Sequence, residues 1–300
     1  MLTTPGSDLI LAPIAGYSDA GMRSLCFAYG AGLCFTEMVS AKGLFYGNEN
    51  TAALLHTDLS EINTGVQLFG KDPEIFAEVV RYPALKKFPV IDVNMGCPVR
   101  KITSNGEGSA LMRSPELIEK IVRAVKQNSG KTTTVKMRLG VDGRNNVLEC
   151  ALAAQEGGAD MVTVHGRTKE QLYGGKADYD AIARVKECLS VPVCGNGDVT
   201  DRASYLRMKQ TGVDYVMIAR GAMGRPYVFS AVQDKPYDFD VPTAVGLHIE
   251  KLCAFLPEKT VVSVMKKQIA CYVYGMRGAK LLKEKAFSAA TLTDLKNVFN

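Results

Sequence analysis

The stretch that decides the fold is VPVCGNGDVTDRASYLRMKQTGVDYVMIARGAMG, residues 191–224. It holds two short apolar runs rich in β-formers, Val191–Cys194 and Tyr215–Ile218, and each is followed by a glycine-rich turn. A helical pattern over Ala203–Lys209 lies between them. A strand, a helix and a second strand in this order predict a βαβ unit, in which the two strands run parallel.

The same alternation of strand and helix runs through the chain before this stretch. Helical patterns with recognisable first residues, such as Asp72-Pro73-Glu74, separate the apolar runs. Eight such units favour an α/β fold, a closed TIM (β/α)8 barrel, over a doubly wound sheet, because no G-x-G-x-x-G turn follows the first strand. The predicted strands are Leu9–Ala12, Leu33–Met38, Thr64–Leu68, Val90–Val93, Thr134–Met137, Met161–Val164, Val191–Cys194 and Tyr215–Ile218, and the predicted helices are Met22–Tyr29, Ile75–Val80, Leu117–Val125, Val147–Gln155, Tyr179–Cys188 and Ala203–Lys209.

Beyond about Asp240 the pattern becomes helical throughout. The segment Lys235–Pro242 before it is rich in proline and charge, as exposed linkers are. The sequence therefore predicts a barrel domain over residues 1–240 and a small all-helical C-terminal domain over residues 241–300. The helices predicted there are Thr243–Phe255, Val261–Tyr274, Gly278–Ala286 and Leu292–Phe299.

Composition excludes several classes of protein. With 300 residues, 47% hydrophobic and 22% charged, the chain has the balance of an ordinary globular protein. No apolar stretch is long enough to span a bilayer and no secretory signal is present, so we expect a cytoplasmic protein without membrane attachment. The eight cysteines are scattered without a C-x-x-C pair or a histidine-rich tract, which predicts reduced thiols and no metal site. The net charge of +5 permits an anionic partner.

Polar or glycine-rich residues follow nearly every predicted strand, where a TIM barrel has its shared pocket. The turns after strands seven and eight expose backbone N–H groups and lead into helices, which predicts a phosphate site. The alternative is that Gly195, Gly197 and Gly221 only make tight turns. The strand ends in question are Ala12–Gly16, Glu37–Ser40, Gln67, Asn94–Pro98, Lys136–Arg138, His165–Arg167, Gly195–Asp198 and Ala219–Gly224.

Lys136 at the end of strand five predicts an anionic or acceptor-rich ligand, because a cation aimed into a barrel is costly to bury alone. A flavin offers such an edge, and the amides of Gln67 and Asn94 can pair with its polar ring atoms. The alternative is a salt bridge from Lys136 to Glu37 or Asp92. His165 similarly indicates a cofactor contact, and its alternative is an internally bonded structural histidine.

Cys97 lies directly after strand four, between Gly96 and Pro98. A thiol of ordinary pKa is mostly protonated at neutral pH, so it can act as a general acid. The alternative is an inert apolar cysteine. The long segment from Cys97 through Lys101 to Ser109 is interpreted as a mobile lid over the barrel mouth.

The ordered set of motifs resembles that of the tRNA-dihydrouridine synthases over essentially the whole chain. The residues Glu37–Lys42 are most similar to the bacterial B-type branch. The motifs that carry the resemblance are Ala12-Pro13-Ile14-Ala15-Gly16, Val66-Gln67-Leu68-Phe69-Gly70, Asn94-Met95-Gly96-Cys97-Pro98, Lys136-Met137-Arg138, His165-Gly166-Arg167-Thr168, Gly195-Asn196-Gly197-Asp198-Val199 and Ala219-Arg220-Gly221-Ala222.

This resemblance implies an FMN-containing barrel whose flavin is reduced by NADPH. It implies that reduced FMN passes hydride from N5 to C6 of a uracil ring in tRNA while Cys97 protonates C5. The residues that it assigns to the cofactor are Pro13, Ile14, Ala15, Gln67, Lys136, His165, Asn196, Gly197, Asp198, Ala219 and Arg220.

The same resemblance implies that the helical domain helps to hold tRNA, with an extruded uridine in the barrel mouth. The alternative for its basic residues is a solvated helix face. Two departures from the family pattern are Gln268, where a histidine is expected, and Tyr179, where a tryptophan is expected. The residues assigned to the RNA are Asn94, Arg100, Lys101, Arg138, Arg167, Lys266 and Lys267.

Two other functions fit part of this pattern. An FMN barrel acting on a free pyrimidine, such as dihydroorotate or dihydrouracil dehydrogenase, shares the barrel and the phosphate site but has little use for a basic helical domain. A non-catalytic RNA-binding protein could keep the barrel as a scaffold, but the intact Cys97 and Lys136 argue against it.

Overall fold

The computed structural model describes Thr4 and residues 6–300, and its centre is a closed barrel of eight parallel strands. Each strand pairs with the next, and the eighth pairs with the first. The predicted TIM barrel is confirmed. The seventh strand starts two residues later than predicted, at Val193, because Pro192 has no N–H to donate to the ladder. The strands are β1 Leu9–Leu11, β2 Leu33–Ser40, β3 Thr64–Phe69, β4 Val90–Met95, β5 Thr132–Arg138, β6 Met161–His165, β7 Val193–Asn196 and β8 Tyr215–Ile218.

The barrel is surrounded by helices at the predicted places, together with short ones that no periodicity indicated. Asp72 caps one of the predicted helices by accepting hydrogen bonds from the N–H groups of Glu74 and Ile75. None of the described helices combines the length and apolar character needed to cross a bilayer. They are α1 Ala20–Ala28, α2 Ala41–Phe45, α3 Glu49–Ala53, α4 Pro73–Val79, α5 Arg100–Thr103, α6 Pro115–Ser129, α7 Val147–Glu156, α8 Tyr179–Cys188, α9 Arg202–Lys209 and α10 Val228–Ala231.

Strand alternation divides the barrel interior into an apolar floor and a polar upper layer. Residues such as Ile10, Phe35 and Met161 form a buried apolar cluster inside the barrel. Two residues further along their strands, positions that point the same way carry polar groups, such as Asp92 after Val90 and Thr163 after Met161. The polar layer therefore faces the open end of the barrel.

The chain after residue 240 is helical, as predicted. Asp240 accepts a hydrogen bond from the N–H of Thr243 and begins the first of these helices, so the end of the predicted linker, Val241-Pro242, lies in its first turn. Proline is compatible with that position because the first N–H groups of a helix have no internal partner. The helices share an apolar cluster, which also includes Leu25 of α1. They are α11 Val241–Cys253, α12 Glu258–Tyr272, α13 Ala279–Ser288 and α14 Leu292–Lys296.

Two glycines let the barrel and the C-terminal helices approach closely. A Cβ on Gly21 of α1 would stand 2.2 Å from the His248 ring of α11. A Cβ on Gly224, after β8, would stand 2.3 Å from the backbone of Cys271 in α12, and Gly224 also has a φ of +67°. Larger residues would force the elements apart.

A largely buried polar network joins the same two parts of the chain. The carboxylate of Asp19 accepts hydrogen bonds from Nε2 of His248 at 2.7 Å, Nε2 of Gln268 at 2.7 Å and the N–H of Met22 at 3.0 Å. Gln268 also donates to the Tyr17 carbonyl at 3.0 Å. Gln268, which departs from the family pattern, is thus completely buried and binds the loop after β1.

Replacing Asp19 with alanine is expected to lower the free energy of unfolding by about 2–5 kcal/mol, because buried donors of His248 and Gln268 lose their acceptor. Urea unfolding followed by circular dichroism measures the change. Asp58→Ala is the matched control, since Asp58 pairs at 3.0 Å with Lys251 of α11, whose side chain is 30% exposed, whereas that of His248 is completely buried. That control should lose less than about 1 kcal/mol, and equal losses in the two variants would contradict the argument.

Candidate active site

A cavity of about 980 Å³ opens at the carboxyl ends of the strands and extends to α12. It brings together residues from nearly every strand end, as the motifs predicted. The predicted residues that line it are Pro13, Ile14, Ala15, Gln67, Asn94, Cys97, Lys136, Arg138, His165, Asn196, Gly197, Asp198, Ala219 and Arg220.

The turn after β7 presents unused backbone donors. The N–H groups of Gly197, Asp198 and Val199 have no acceptor among the described residues. Gly197 has a φ of +136°, and the hydroxyl of Tyr179 donates to its carbonyl at 2.9 Å. Tyr179, the second departure from the family pattern, thus supports the turn. Arg220, on the neighbouring turn after β8, is exposed and adds a positive charge.

The carboxylate of Asp198 is occupied by hydrogen-bond donors of the protein itself. It accepts hydrogen bonds from Arg167 at 2.7 Å, from the N–H of Ala177 at 2.8 Å and from Arg220 at 3.2 Å. Burial raises the pKa of Asp198, but these bonds and charges outweigh it and hold the pKa below its usual value. Only the backbone of Asp198 is therefore available to a phosphate.

Lys136 is the cation at the centre of the cavity. Its Nζ donates to Oδ1 of Asn196 at 3.1 Å, and it forms no ion pair with any described residue. The salt bridge to Glu37 or Asp92 that was the alternative is not formed, and Glu37 instead accepts from the N–H of Gly16. Burial, followed by the charge of Arg138, lowers the pKa of Lys136 to about 8. The site thus holds a cation in need of an acceptor.

His165 lies beside this cation and stays neutral. Burial, followed by the charges of Lys136 and three arginines, lowers its pKa to about 2. Its imidazole makes no hydrogen bond to another described residue, so the alternative of an internally bonded histidine is not supported. A neutral imidazole can offer one donor and one acceptor to a ligand.

Gln67 and Asn94 belong to a hydrogen-bonded chain that sequence reasoning missed. Nε2 of Gln67 donates to Asp92 at 2.7 Å, and Nδ2 of Asn94 donates to Oε1 of Gln67 at 2.8 Å. Burial raises the pKa of Asp92 to about 6, against the effects of hydrogen bonds from Thr134 and Gln67 and of the charge of Lys136. The clue in the sequence was a carboxylate at an inward position of β4, two residues before Asn94.

Cys97 is half-buried at the cavity wall. Burial raises the pKa of its thiol, against the N–H of Val99 and the charges of Arg138 and Lys136, so the thiol is protonated at neutral pH. The segment after it is not an open lid. It forms α5 and a buried turn of 3-10 helix over Gly108–Arg113, and the N–H of Ser109 donates to the Cys97 carbonyl at 3.0 Å.

The predicted RNA contacts occupy three different settings. Arg138 lines the cavity and donates to the carbonyls of Gly96, Thr168 and Leu172. Arg100 and Lys101 are exposed on α5. Lys266 and Lys267 are half-exposed on α12, with the Lys267 ammonium 5.5 Å from the ring centre of Tyr17.

The structure does not support the prediction that Arg167 contacts RNA, because its side chain is almost completely buried and faces neither the cavity nor the surface. Its guanidinium donates to the carbonyls of Gly174 and Gly175 and to Asp198. It therefore organises the loop after β6 and the Asp198 carboxylate, and it is not placed to bind RNA. Distant residues supply these partners, so no local pattern distinguished it from a surface arginine.

Among the lining residues that had not been singled out as site residues are five with a phenol, guanidinium or thiol group. Tyr173, on the loop after β6, lies 5.0 Å from the Arg220 guanidinium. Of these, Tyr17 and Arg225 carried a signal in their positions, because each directly follows a strand end that was predicted to face the pocket, Ala12–Gly16 and Ala219–Gly224. The five are Tyr17, Tyr173, Arg225, Cys271 and Tyr274.

The family model described as "Dihydrouridine synthase (Dus)" matches residues 10–300, which include the carboxyl end of every barrel strand. The chain belongs to the dihydrouridine synthase family. The predicted family is thereby confirmed, and the match extends through the C-terminal helices.

Curated relatives of this family member match over most of both chains. The tRNA-dihydrouridine synthase B of Pasteurella multocida is 34% identical, with 97% of this chain and 92% of the relative covered. The tRNA-dihydrouridine synthase B of Vibrio cholerae is 39% identical, with 76% and 71% covered. Both names agree with the B-type resemblance of Glu37–Lys42. Among solved structures, nitroalkane oxidase from Streptomyces ansochromogenes is a distant match, with 18% identity, a TM-score of 0.44 and coverage of 74% and 67%.

Proposed function

We propose that this chain is a tRNA-dihydrouridine synthase that uses FMN, reduced by NADPH, to reduce the C5–C6 double bond of uridines. The observation that carries the proposal is a single cavity that combines an unpaired cation, Lys136, with a protonated thiol, Cys97. Family membership and the names of the curated relatives support the tRNA substrate. A tRNA substrate also agrees with the predicted cytoplasmic location.

The residues of the cavity fit FMN. The unused N–H groups of Gly197 and Asp198, with Arg220, suit its phosphate, whereas Lys136 and His165 suit the polar atoms of its ring. Gln67 keeps one N–H and one lone pair beyond the bonds that it makes inside the protein. FMN in its reduced form would supply the hydride.

The protein supplies the proton from Cys97. Because burial raises the pKa of the thiol, Cys97 holds its proton at neutral pH and can donate it to C5 of the substrate ring. Lys136 and Arg138 lie close enough to lower that pKa, and both stabilise the thiolate that remains after the transfer. Water or a protonated buffer molecule can then return a proton to the thiolate.

The surroundings of the cavity suit an extruded uridine on an RNA chain. Asn94 and Arg138 line the wall, whereas Arg100 and Lys101 are exposed on α5 and Lys266 and Lys267 lie on α12. These cations can bind phosphates on both sides of a base that has left its stack. A free pyrimidine would not need them.

An anaerobic assay of the purified protein with NADPH and unmodified tRNA tests this function. Mass spectrometry of digested tRNA is expected to show dihydrouridine, and the flavin released from the protein is expected to be FMN. A parallel assay offers free uracil and orotate in place of tRNA. Turnover of the free base without dihydrouridine in tRNA would refute the RNA substrate and support the alternative reductase.

A further inference from the structure

A chain of hydrogen bonds runs from the buried interior of the barrel to the Cys97 backbone. Asp92, with no exposed surface, accepts from Thr134 at 2.6 Å through one oxygen and from Gln67 at 2.7 Å through the other. Asn94 donates to Gln67 at 2.8 Å and accepts from the N–H groups of Gly96 at 3.1 Å and Cys97 at 2.9 Å. Asp92 itself does not line the cavity.

The groups at the two ends, the Asp92 carboxylate and the backbone N–H groups of Gly96 and Cys97, allow only one direction for these hydrogen bonds. An ionised carboxylate only accepts hydrogen bonds, and backbone N–H groups only donate them. The two amides between them must therefore turn their NH2 groups toward Asp92 and their oxygens toward Cys97. If Gln67 flipped, its NH2 group would face the NH2 group of Asn94, and two donors would meet in a buried place.

We propose that Asp92 is a positioning residue that fixes the amide orientations of Gln67 and Asn94 and thereby holds the Cys97 segment in place. The oxygen of Asn94 accepts hydrogen bonds from the N–H groups of both Gly96 and Cys97. It therefore holds the turn from which the Cys97 thiol reaches the cavity. Arg138 binds the Gly96 carbonyl at 2.8 Å and anchors the same turn from the other side.

A variant of Thr134 can distinguish this positioning role of Asp92 from general support of the barrel. It binds the same carboxylate as Gln67, but it lies outside the route from Asp92 to Cys97. Removing its hydroxyl leaves the bonds from Asp92 to Gln67, from Gln67 to Asn94 and from Asn94 to Cys97 intact. Thr134→Val is therefore a control that removes one hydrogen bond of Asp92 and leaves the hydrogen bonds from Asp92 to Cys97 in place.

The test measures the rate at which iodoacetamide alkylates Cys97 in the purified full-length protein, by peptide mass spectrometry. Cys271, a half-buried thiol of the same cavity, is the internal reference. Asp92→Leu removes the acceptor, and we expect the rate at Cys97 relative to Cys271 to rise by roughly five- to tenfold, the change for one lost hydrogen bond. Gln67→Leu cuts the next link and should give the same rise.

Two variants should retain the rate within about twofold of the wild type, because the acceptor for Gln67 remains. In Asp92→Asn the new amide oxygen can accept from Gln67 while its NH2 group donates to Thr134. Thr134→Val keeps the carboxylate itself. An unchanged rate in both leucine variants would overturn the proposal, and so would an equal rise in Thr134→Val. If Asp92→Leu does not fold, the other two variants test the proposal: the alkylation rate should rise in Gln67→Leu and stay near the wild-type rate in Asp92→Asn.

The consequence for turnover rests on the proposed function. In the dihydrouridine assay Asp92→Leu is expected to lower kcat with little change in the KM for tRNA, because it displaces the proton donor and leaves the RNA surface intact. Different results would refute the proposed function and the role of Asp92. A wild-type protein that makes no dihydrouridine refutes the proposed function, whereas the alkylation rates still judge the role of Asp92.

Discussion

Cys97→Ala is expected to lower dihydrouridine formation by about 10²- to 10⁴-fold, the usual contribution of a positioned general acid. The site favours this role for the thiol, because burial keeps it protonated at neutral pH and the neighbouring cations Lys136 and Arg138 stabilise the thiolate that remains. Flavin content should be unchanged, since the thiol is not among the groups that suit the phosphate or the polar ring atoms.

Cys271→Ala is the matched control for that variant. It removes a second thiol from the same cavity, on α12, and is expected to keep the rate within about threefold, as for a side chain outside the chemistry. The pH dependence gives an independent check. Because burial raises the pKa of Cys97, the rate should persist above neutral pH and decline only as the thiol loses its proton. Full activity in Cys97→Ala would exclude the acid role.

Lys136→Met is expected to have opposite effects on flavin affinity and on stability. A charged hydrogen bond to a ligand contributes about 1.5–3 kcal/mol, so FMN affinity should fall by roughly 10- to 100-fold. The flavin-free variant should nevertheless be more stable at neutral pH, because the folded protein no longer desolvates a cation that has no ion-pair partner. Fluorescence titration with FMN and urea unfolding measure the two effects.

The pH dependence of that stability gain follows from the sign of the pKa shift. Burial lowers the pKa of Lys136 to about 8 in the folded protein, below its value of about 10.4 when unfolded. The unfolded chain therefore binds more protons between these values, and wild-type stability rises with pH in that window. The advantage of methionine should be largest below about pH 8, on the order of 3 kcal/mol, and should vanish above about pH 10.4.

Lys101→Met is the matched control, because Lys101 is exposed on α5. It should leave FMN affinity and unfolding unchanged, whereas tRNA affinity should weaken slightly and depend less on salt. Equal stability of Lys136→Met and the wild type at pH 7, with equal FMN affinity, would contradict the assignment of Lys136 as the central cation of the site.

Local sequence was sufficient for the elements and for most of the cavity. Tyr179–Cys188 and Tyr215–Ile218 have the predicted bounds, because their apolar periodicity and flanking turn residues are complete within the segment. Since a parallel barrel places the carboxyl ends of all its strands on one face, a motif such as Asn94–Pro98 could be assigned to the cavity without knowing any contact.

Contacts between distant residues decided the rest. Arg167 reads as a site arginine in its motif, but Gly174, Gly175 and Asp198 enclose it and remove it from solvent. In the sequence, Gln268 stands where the family pattern has a histidine that contacts RNA. In the structure, it joins α12 to the loop after β1. Neither role is visible locally, because partners far apart in the chain determine which way a long polar side chain turns.

The sequence by itself determined the barrel, the helical segment after it and the set of polar groups at the strand ends, because these depend on periodicity and chain order. The tertiary structure alone decided which of these groups bind one another and which remain free for a ligand. Closing the barrel sets the register of neighbouring strands. That register places Gln67 between Asp92 and Asn94 and leaves Lys136 without a counter-ion among the residues that the structure describes.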